Sequence, residues 1–230
     1  MSSYDAFAPI YDDWASHMTE DVAFYVELAR QADGPVVELA VGNGRVAIPV
    51  AEAIGAPVLG IDSSPAMLAQ ARERAAAAGV QLELRELDMR ELALEEPAAL
   101  VYCPFRGLLH LPTWRDRRLV FERVAAALRT GGHFAWNAFA FDPHIAAELD
   151  GKWDVHAGIR NRVDHAPADN RLDITLESGA VISLWWVTRS EWEGLIDVAG
   201  LETEALYGWF DRRTFDEDSR EFVWVTRKPE

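Results

Sequence analysis

Apolar and polar positions in the first two thirds of the chain switch repeatedly between a two-residue and a helical period. A β-branched run at residues 36–40 predicts a strand, and residues 46–53 read as a helix behind an intervening glycine turn. Pro49 is tolerated in that helix's first turn, where a missing N–H removes no helical bond. Residues 58–61 are a second strand. Ser64 as a cap, with Pro65 at the first helical position, opens a helix to about Ala78, which Gly79 stops. A third strand is predicted at 81–87 and a fourth, buried one at 98–102. A helix then runs from the cap Thr113 through Leu128 to an exit turn at Arg129-Thr130-Gly131-Gly132, followed by a fifth strand at 133–139. This strand–helix rhythm argues for a mostly parallel sheet covered by helices on both faces.

Beyond residue 150 the texture changes. Residues 171–176 and 181–187 alternate around Glu177-Ser178-Gly179-Ala180 as an antiparallel hairpin. Residues 191–199 form a short helix ended by Gly200, and 201–207 and 221–227 are a closing pair of strands. The expected fold is α/β and doubly wound: a seven-stranded, mostly parallel, Rossmann-like sheet with an antiparallel final strand and an inserted β-hairpin. At 230 residues a single domain is expected, with a core at 31–140, the hairpin region at 141–190 and the closing helix and strands at 191–230.

Charge narrows the partners. The 38 acidic against 22 basic side chains give a net charge of −16, a field that repels phosphate backbones and anionic lipid. Nucleic acid and membrane are therefore not expected. Cys103 is the single cysteine, which excludes an internal disulfide and a multi-cysteine metal site. His17, His133, His156 and His165 lack metal-ligand spacing, and no metal is expected. The start Met1-Ser2-Ser3-Tyr4-Asp5 has neither a basic nor an apolar leader region, and no later segment approaches ~18 uninterrupted apolar residues. A cytoplasmic protein is the expectation.

The candidate chemistry begins where the first strand ends. Val36-Val37-Glu38-Leu39-Ala40-Val41-Gly42-Asn43-Gly44-Arg45 runs from an apolar strand through an acid into a glycine turn, and Asp62 follows Gly42 by 20 residues at the tip of the second strand. Gly42 and Gly44 permit positive φ and close backbone approach, and the next helix aims free N–H groups at an anionic group. Asp62 suits both hydroxyls of a ribose. An adenosine ligand is implied. Gly42, Gly44 and Ala47 satisfy G-x-G-x-x-A, which keeps a nicotinamide-dependent oxidoreductase as one reading. Glu38 argues for another: a carboxylate beside the loop disfavours a pyrophosphate and suits a ligand with a cationic amino-acid end.

Glu38-Leu39-Ala40-Val41-Gly42-Asn43-Gly44-Arg45 resembles the first motif of class I S-adenosylmethionine-dependent methyltransferases, E-L-x-x-G-x-G-R, with Ala40 in place of the usual first glycine. Asp62-Ser63-Ser64-Pro65-Ala66-Met67-Leu68 is similar to the family's ribose-binding, adenine-flanking segment. Leu87-Asp88-Met89 is similar to the segment whose acid faces the adenine amino group, and Arg129-Thr130-Gly131-Gly132 to the R-P-G-G turn. Tyr4-Asp5-Ala6-Phe7-Ala8-Pro9-Ile10-Tyr11-Asp12-Asp13-Trp14 resembles the Y-D-x-x-A-x-x-Y-D segment of small-molecule members, which implies a helical lid within residues 1–30. The resemblance implies S-adenosylmethionine as cofactor, bound by Tyr11, Glu38, Ala40, Gly42, Asn43, Gly44, Arg45, Asp62, Ser63, Met67, Asp88, Met89, Cys103 and Phe105.

The implied reaction is in-line displacement of the methyl group by an oxygen or nitrogen of a small molecule, which asks for a dry site, an aligned nucleophile and somewhere for a proton to go. Tyr102-Cys103-Pro104-Phe105-Arg106-Gly107-Leu108-Leu109-His110-Leu111 leaves the fourth strand at the carboxyl edge of the sheet, where such folds bind ligands. His110 is the candidate general base. Arg106 stands where the family often has asparagine and points to an anionic or carbonyl-bearing acceptor. Trp14, Asn137 and Phe139 are the other candidate acceptor contacts. A homodimer is compatible with this reading, and a non-catalytic module that only binds the cofactor is a further alternative.

Overall fold

The computed structural model describes residues 3–15, 18–156 and 158–230. The chain enters through 3-10 turns at Ser3–Ala6 and Ala8–Ile10, α1 (Tyr11–Ala15) and α2 (Glu20–Gln31). It then alternates β1 (Val36–Leu39), α3 (Ala47–Ile54), β2 (Val58–Asp62), α4 (Pro65–Ala78), β3 (Leu82–Glu86), β4 (Ala98–Cys103), α5 (Trp114–Ala127) and β5 (Leu128–Phe139). After α6 (Pro143–Leu149), four strands form a separate antiparallel sheet: β6 (Trp153–His156), β7 (Ile159–Ala166), β8 (Arg171–Leu176) and β9 (Val181–Trp185). α7 (Arg189–Val198), β10 (Glu202–Tyr207) and β11 (Glu221–Arg227) return to the main sheet, whose order is β10-β11-β5-β4-β1-β2-β3. β11 runs antiparallel to both its neighbours and the other strands pair in parallel. This is the doubly wound, seven-stranded plan expected from the strand–helix rhythm. Strand order reverses between β1 and β4, which places a ligand crevice at their carboxyl ends.

Local chemistry sets the elements. β1 and β4 are buried along their whole length, which explains their near-continuous apolar sequence. Ser64 Oγ accepts the Met67 N–H at 3.2 Å, Pro65 occupies the first position of α4, and Gly79 ends it at φ +70°. Thr188 and Glu191 form a reciprocal capping box at the start of α7. One face of the sheet packs on α2, α3 and α4 through Phe24, Val50, Leu68 and Tyr102; the other packs on α5 and α7 through Phe121, Trp136, Trp192 and Trp224. No helix among the described residues is long and apolar enough to cross a membrane.

Two details differ from the sequence reading. The segment after α5 is not a free turn: Leu128 already pairs with Ala98, residues 129–132 continue β5 as a bulge with Gly131 and Gly132 bonded to Lys228, and pairing with β4 resumes at Leu100 and His133. Gly132 permits this, because a Cβ there would stand 2.9 Å from the Arg129 carbonyl oxygen and 3.0 Å from that of Ala98. The second difference is that the β8–β9 hairpin is half of a larger sheet. β6 and β7 are masked in the sequence by charges that pair locally: Arg162 meets Asp164 at 2.8 Å, and the Arg160 and Arg162 guanidiniums lie 5.2 and 5.7 Å from the Trp153 ring. The inner face of this sheet, with Leu172, Leu176, Ile182 and Leu184, joins the core that holds Trp192.

Trp192 is fully buried between Phe121, stacked at 6.0 Å, and Trp136 at 5.6 Å. Trp192→Ala should lower unfolding stability in urea by about 3–5 kcal/mol. A loss under ~1 kcal/mol would show that α7 is not held through this cluster.

Candidate active site

A cavity of about 240 Å³ lies at the carboxyl ends of β1, β2 and β4. The glycine turn is one wall. Ala40, Gly42 and Gly44 all adopt left-handed φ, at +53°, +54° and +81°. Space above the turn depends on the absence of a side chain at Gly42, where a Cβ would lie 3.1 Å from Met67 Cε and 3.9 Å from the Tyr11 hydroxyl. Gly107 allows the chain leaving β4 to approach the turn, since a Cβ there would meet Cys103 Sγ at 2.7 Å and Ala40 Cβ at 3.1 Å.

Asp62, at the tip of β2, accepts the Gly42 N–H on Oδ2 and the Ser64 N–H on Oδ1, both at 2.8 Å. Each oxygen keeps a second acceptor direction, enough for two ribose hydroxyls. Burial raises this carboxyl above its usual range, and the N–H bonds from Ser64 and Gly42 oppose that shift.

Glu38 is buried behind the turn and accepts the Tyr102 hydroxyl at 2.7 Å. Burial pushes its carboxyl up to about 8, against the Tyr102 hydrogen bond and the field of Arg45. Arg45 is already committed: it donates to both oxygens of the buried Asp21, at 2.8 and 2.6 Å, and to the Met18 carbonyl at 2.9 Å. Its guanidinium also lies 4.8 Å above the Phe105 ring. The wall thus carries an acid with no counter-charge of its own, chemistry suited to a cationic ligand group.

The lid covers the cavity. Tyr4 and Tyr11 line it with Phe105 and His110, and Tyr11 meets Phe105 edge-on with ring centroids 6.1 Å apart. Ser64 Oγ donates to Asp5 at 2.6 Å and ties the lid to α4. Tyr4 Oη lies 2.9 Å from His110 Nε2. Desolvation drives the His110 pKa down to about 4, partly offset by a hydrogen bond to the Ser183 backbone in β9. The imidazole is therefore neutral at pH 7, with its N–H given to Ser183 and Nε2 accepting the Tyr4 hydroxyl.

At the far end, Leu87, Asp88, Met89 and Arg90 line the cavity. Asp88 is bound by Arg90 through Nε to Oδ1 at 3.0 Å and Nη2 to Oδ2 at 2.6 Å, and the Arg90 side chain holds its carboxyl below the usual range.

Of the residues singled out by sequence, Tyr11, Glu38, Ala40, Gly42, Arg45, Asp62, Ser63, Met67, Asp88, Met89, Phe105 and His110 line the cavity. Others stand elsewhere. Asn43 donates to Asp12 in the lid at 2.8 Å, Gly44 packs against Ile48, and Cys103 is buried beneath Gly107. Arg106 donates to the buried Glu221 at 3.2 and 2.8 Å and lies 5.4 Å from the Phe139 ring; Asn137 donates to the same carboxylate at 2.7 Å. Arg106 thus answers an internal acid. The Trp14 side chain and His17 lie outside the described residues. Tyr4, Arg90 and Pro104 line the cavity without having been assigned from sequence. The available signals are Tyr4 at the head of the Y-D repeat and Arg90 two residues after a strand-tip acid.

The switch-point cavity, its glycine turn and the acid on β2 have the arrangement by which doubly wound α/β proteins take nucleosides. A family model described as a methyltransferase domain matches residues 36–132, which span the turn, Asp62, Asp88 and His110. No curated protein matches the chain. Among solved structures, the CcbJ methyltransferase from Streptomyces caelestis is 26% identical, with a TM-score of 0.83 over 100% of this chain and 99% of that one. An S-adenosylmethionine-dependent methyltransferase from Clostridium acetobutylicum is 14% identical, with a TM-score of 0.82 over the whole of both chains. CalS10 from Micromonospora echinaspora, an amino pentose methyltransferase with S-adenosylmethionine bound, is 22% identical, with a TM-score of 0.69 over 99% and 97%. Residues 36–132 thus match a methyltransferase domain, on a fold that the whole chain shares with S-adenosylmethionine-dependent methyltransferases.

Glu38 gives the protein a distinctive pH dependence. Its folded pKa of about 8 lies above the ordinary 4.5, so the folded state holds the extra proton and stability falls as pH rises through that window. Glu38→Gln should gain on the wild type between pH 6 and pH 9 by on the order of a few kcal/mol in urea unfolding. His110 acts with opposite sign below pH 6.5 and cancels in the comparison. Parallel pH curves for the two proteins would contradict the burial of an unpaired acid.

Proposed function

We propose that this methyltransferase acts on a nitrogen or oxygen of a small molecule. The observation that carries the reading is the lid: Tyr4 and Tyr11 close over the cavity onto His110 and Phe105, which suits a compact acceptor and excludes water. The acidic chain disfavours a nucleic-acid acceptor. The amino pentose specificity in the name of CalS10 agrees with a small acceptor.

The cofactor, when bound, supplies a methyl group already activated on a sulfonium. In this reading Gly42 and Gly44 shape the turn, Asp62 takes the ribose hydroxyls, and Asp88 takes the adenine amino group with Met89 against the ring. Glu38 faces the cationic amino-acid end, and Tyr11 lies over it. His110, with a pKa of about 4, is a weak base, which turns the expected general-base role into a positioning one. An acceptor nitrogen with its lone pair free is oriented by the Tyr4 oxygen, which His110 holds in place, and the methylated nitrogen loses its proton to solvent as the product leaves. The rate then comes from alignment in a dry site.

Two measurements test this. Asp62→Ala should weaken S-adenosylmethionine binding in calorimetry by about 1.5–3 kcal/mol, and unchanged affinity would remove the ribose assignment. With amine acceptors, the pH profile of kcat should lack a limb near 6.5, and His110→Gln should raise KM more than it lowers kcat. A loss of kcat of ~100-fold or more, with a limb that vanishes in the variant, would restore general-base catalysis.

A further inference from the structure

We propose that Arg90 is a positioning residue for adenine specificity, leaving Asp88 a single acceptor direction to offer the purine. The inference rests on the reading that Asp88 meets the adenine amino group. Asp88 Oδ1 accepts twice, from the Arg90 backbone N–H at 2.9 Å and from Nε at 3.0 Å. Oδ2 accepts from Nη2 at 2.6 Å. A carboxylate has about four acceptor directions, so one remains, on Oδ2. Asp88 and Arg90 both line the cavity beside Leu87 and Met89.

The guanidinium is anchored at its other end as well. Nη1 donates to Asp116 Oδ1 at 2.9 Å, and Asp116 is fixed in the first turn of α5, where its N–H is bound by the cap Thr113 at 3.0 Å. Asp88 is therefore held in one plane by a fork that cannot turn with it. The field of Arg90 also keeps it ionised. An adenine amino N–H satisfies the remaining direction. A 6-oxo purine presents a carbonyl oxygen there instead, and two acceptors repel. Without the fork the carboxylate rotates, its preferred direction is lost, and the two purines become less distinct. Lysine cannot replace the fork, because an ammonium is a point charge without paired, coplanar donors.

Calorimetric titration of S-adenosylhomocysteine and its 6-oxo analogue S-inosylhomocysteine into wild type, Arg90→Lys, Arg90→Ala and Asp88→Ala tests this. The preference for adenine over the 6-oxo base should fall about tenfold in both Arg90 variants, through weaker S-adenosylhomocysteine binding, while affinity for the 6-oxo ligand holds within about twofold. An unchanged preference, or equal loss for both ligands, overturns the inference and leaves Arg90 as a tie to α5. Asp88→Ala separates the levels. Preference lost there but kept in the Arg90 variants rejects the inference alone; preference kept in Asp88→Ala rejects the Asp88 reading and the inference with it.

Discussion

Two N–H groups, from Gly42 and Ser64, converge at 2.8 Å on the Asp62 carboxylate, and through it the glycine turn, the β2 tip and the start of α4 act as one unit. The lid joins the same unit, because Ser64 Oγ caps the Met67 N–H and donates to Asp5. Burial works against an ionised Asp62, and the backbone N–H groups of Ser64, Gly42 and Ser63 oppose it. The acid that suits a ribose is thus also the acid that holds the turn in its left-handed conformation. Binding and local architecture share one group.

Charge buried deeper is handled by closed pairing. Arg45 with Asp21 and Arg106 with Glu221 each join a guanidinium to a carboxylate that is fully buried. Glu221 also accepts from Asn137, whose Oδ1 accepts the Tyr25 hydroxyl at 3.1 Å, and Tyr25 stacks at 5.1 Å on Tyr102. Tyr102 in turn bonds Glu38. A chain of hydrogen bonds joined by one ring stack therefore runs from β11 to the back of the glycine turn. Removing one member of such a pair leaves the other charge buried and alone, commonly a loss of about 3–5 kcal/mol. That constraint accounts for an arginine at position 106 without calling on the acceptor.

Much of this was legible in the chain because it is written locally. Ser64-Pro65, Gly79, Thr188 with Glu191 and the Gly42–Gly44 turn each carry their own backbone chemistry, and the spacing to Asp62 follows from one strand–helix–strand unit. Long-range partners were not legible. The residue that captures Arg106 lies 115 positions later, on β11. The neutrality of His110 comes from desolvation, against the opposing hydrogen bond to Ser183 in the inserted sheet. β6 and β7 escaped notice because their charged positions pair with one another or cover Trp153, which erases simple alternation. Arg90 gave only a weak signal, since an arginine two residues after an acid is common on surfaces.

The most direct measurement is a crystal structure of the enzyme with S-adenosylhomocysteine. The account predicts both ribose hydroxyls on the Asp62 carboxylate with the Gly42 and Ser64 N–H bonds retained, and the adenine beside Met89 with its amino group on Asp88. An Asp62 side chain turned away from the glycine turn, or an adenosine bound outside this cavity, would contradict it.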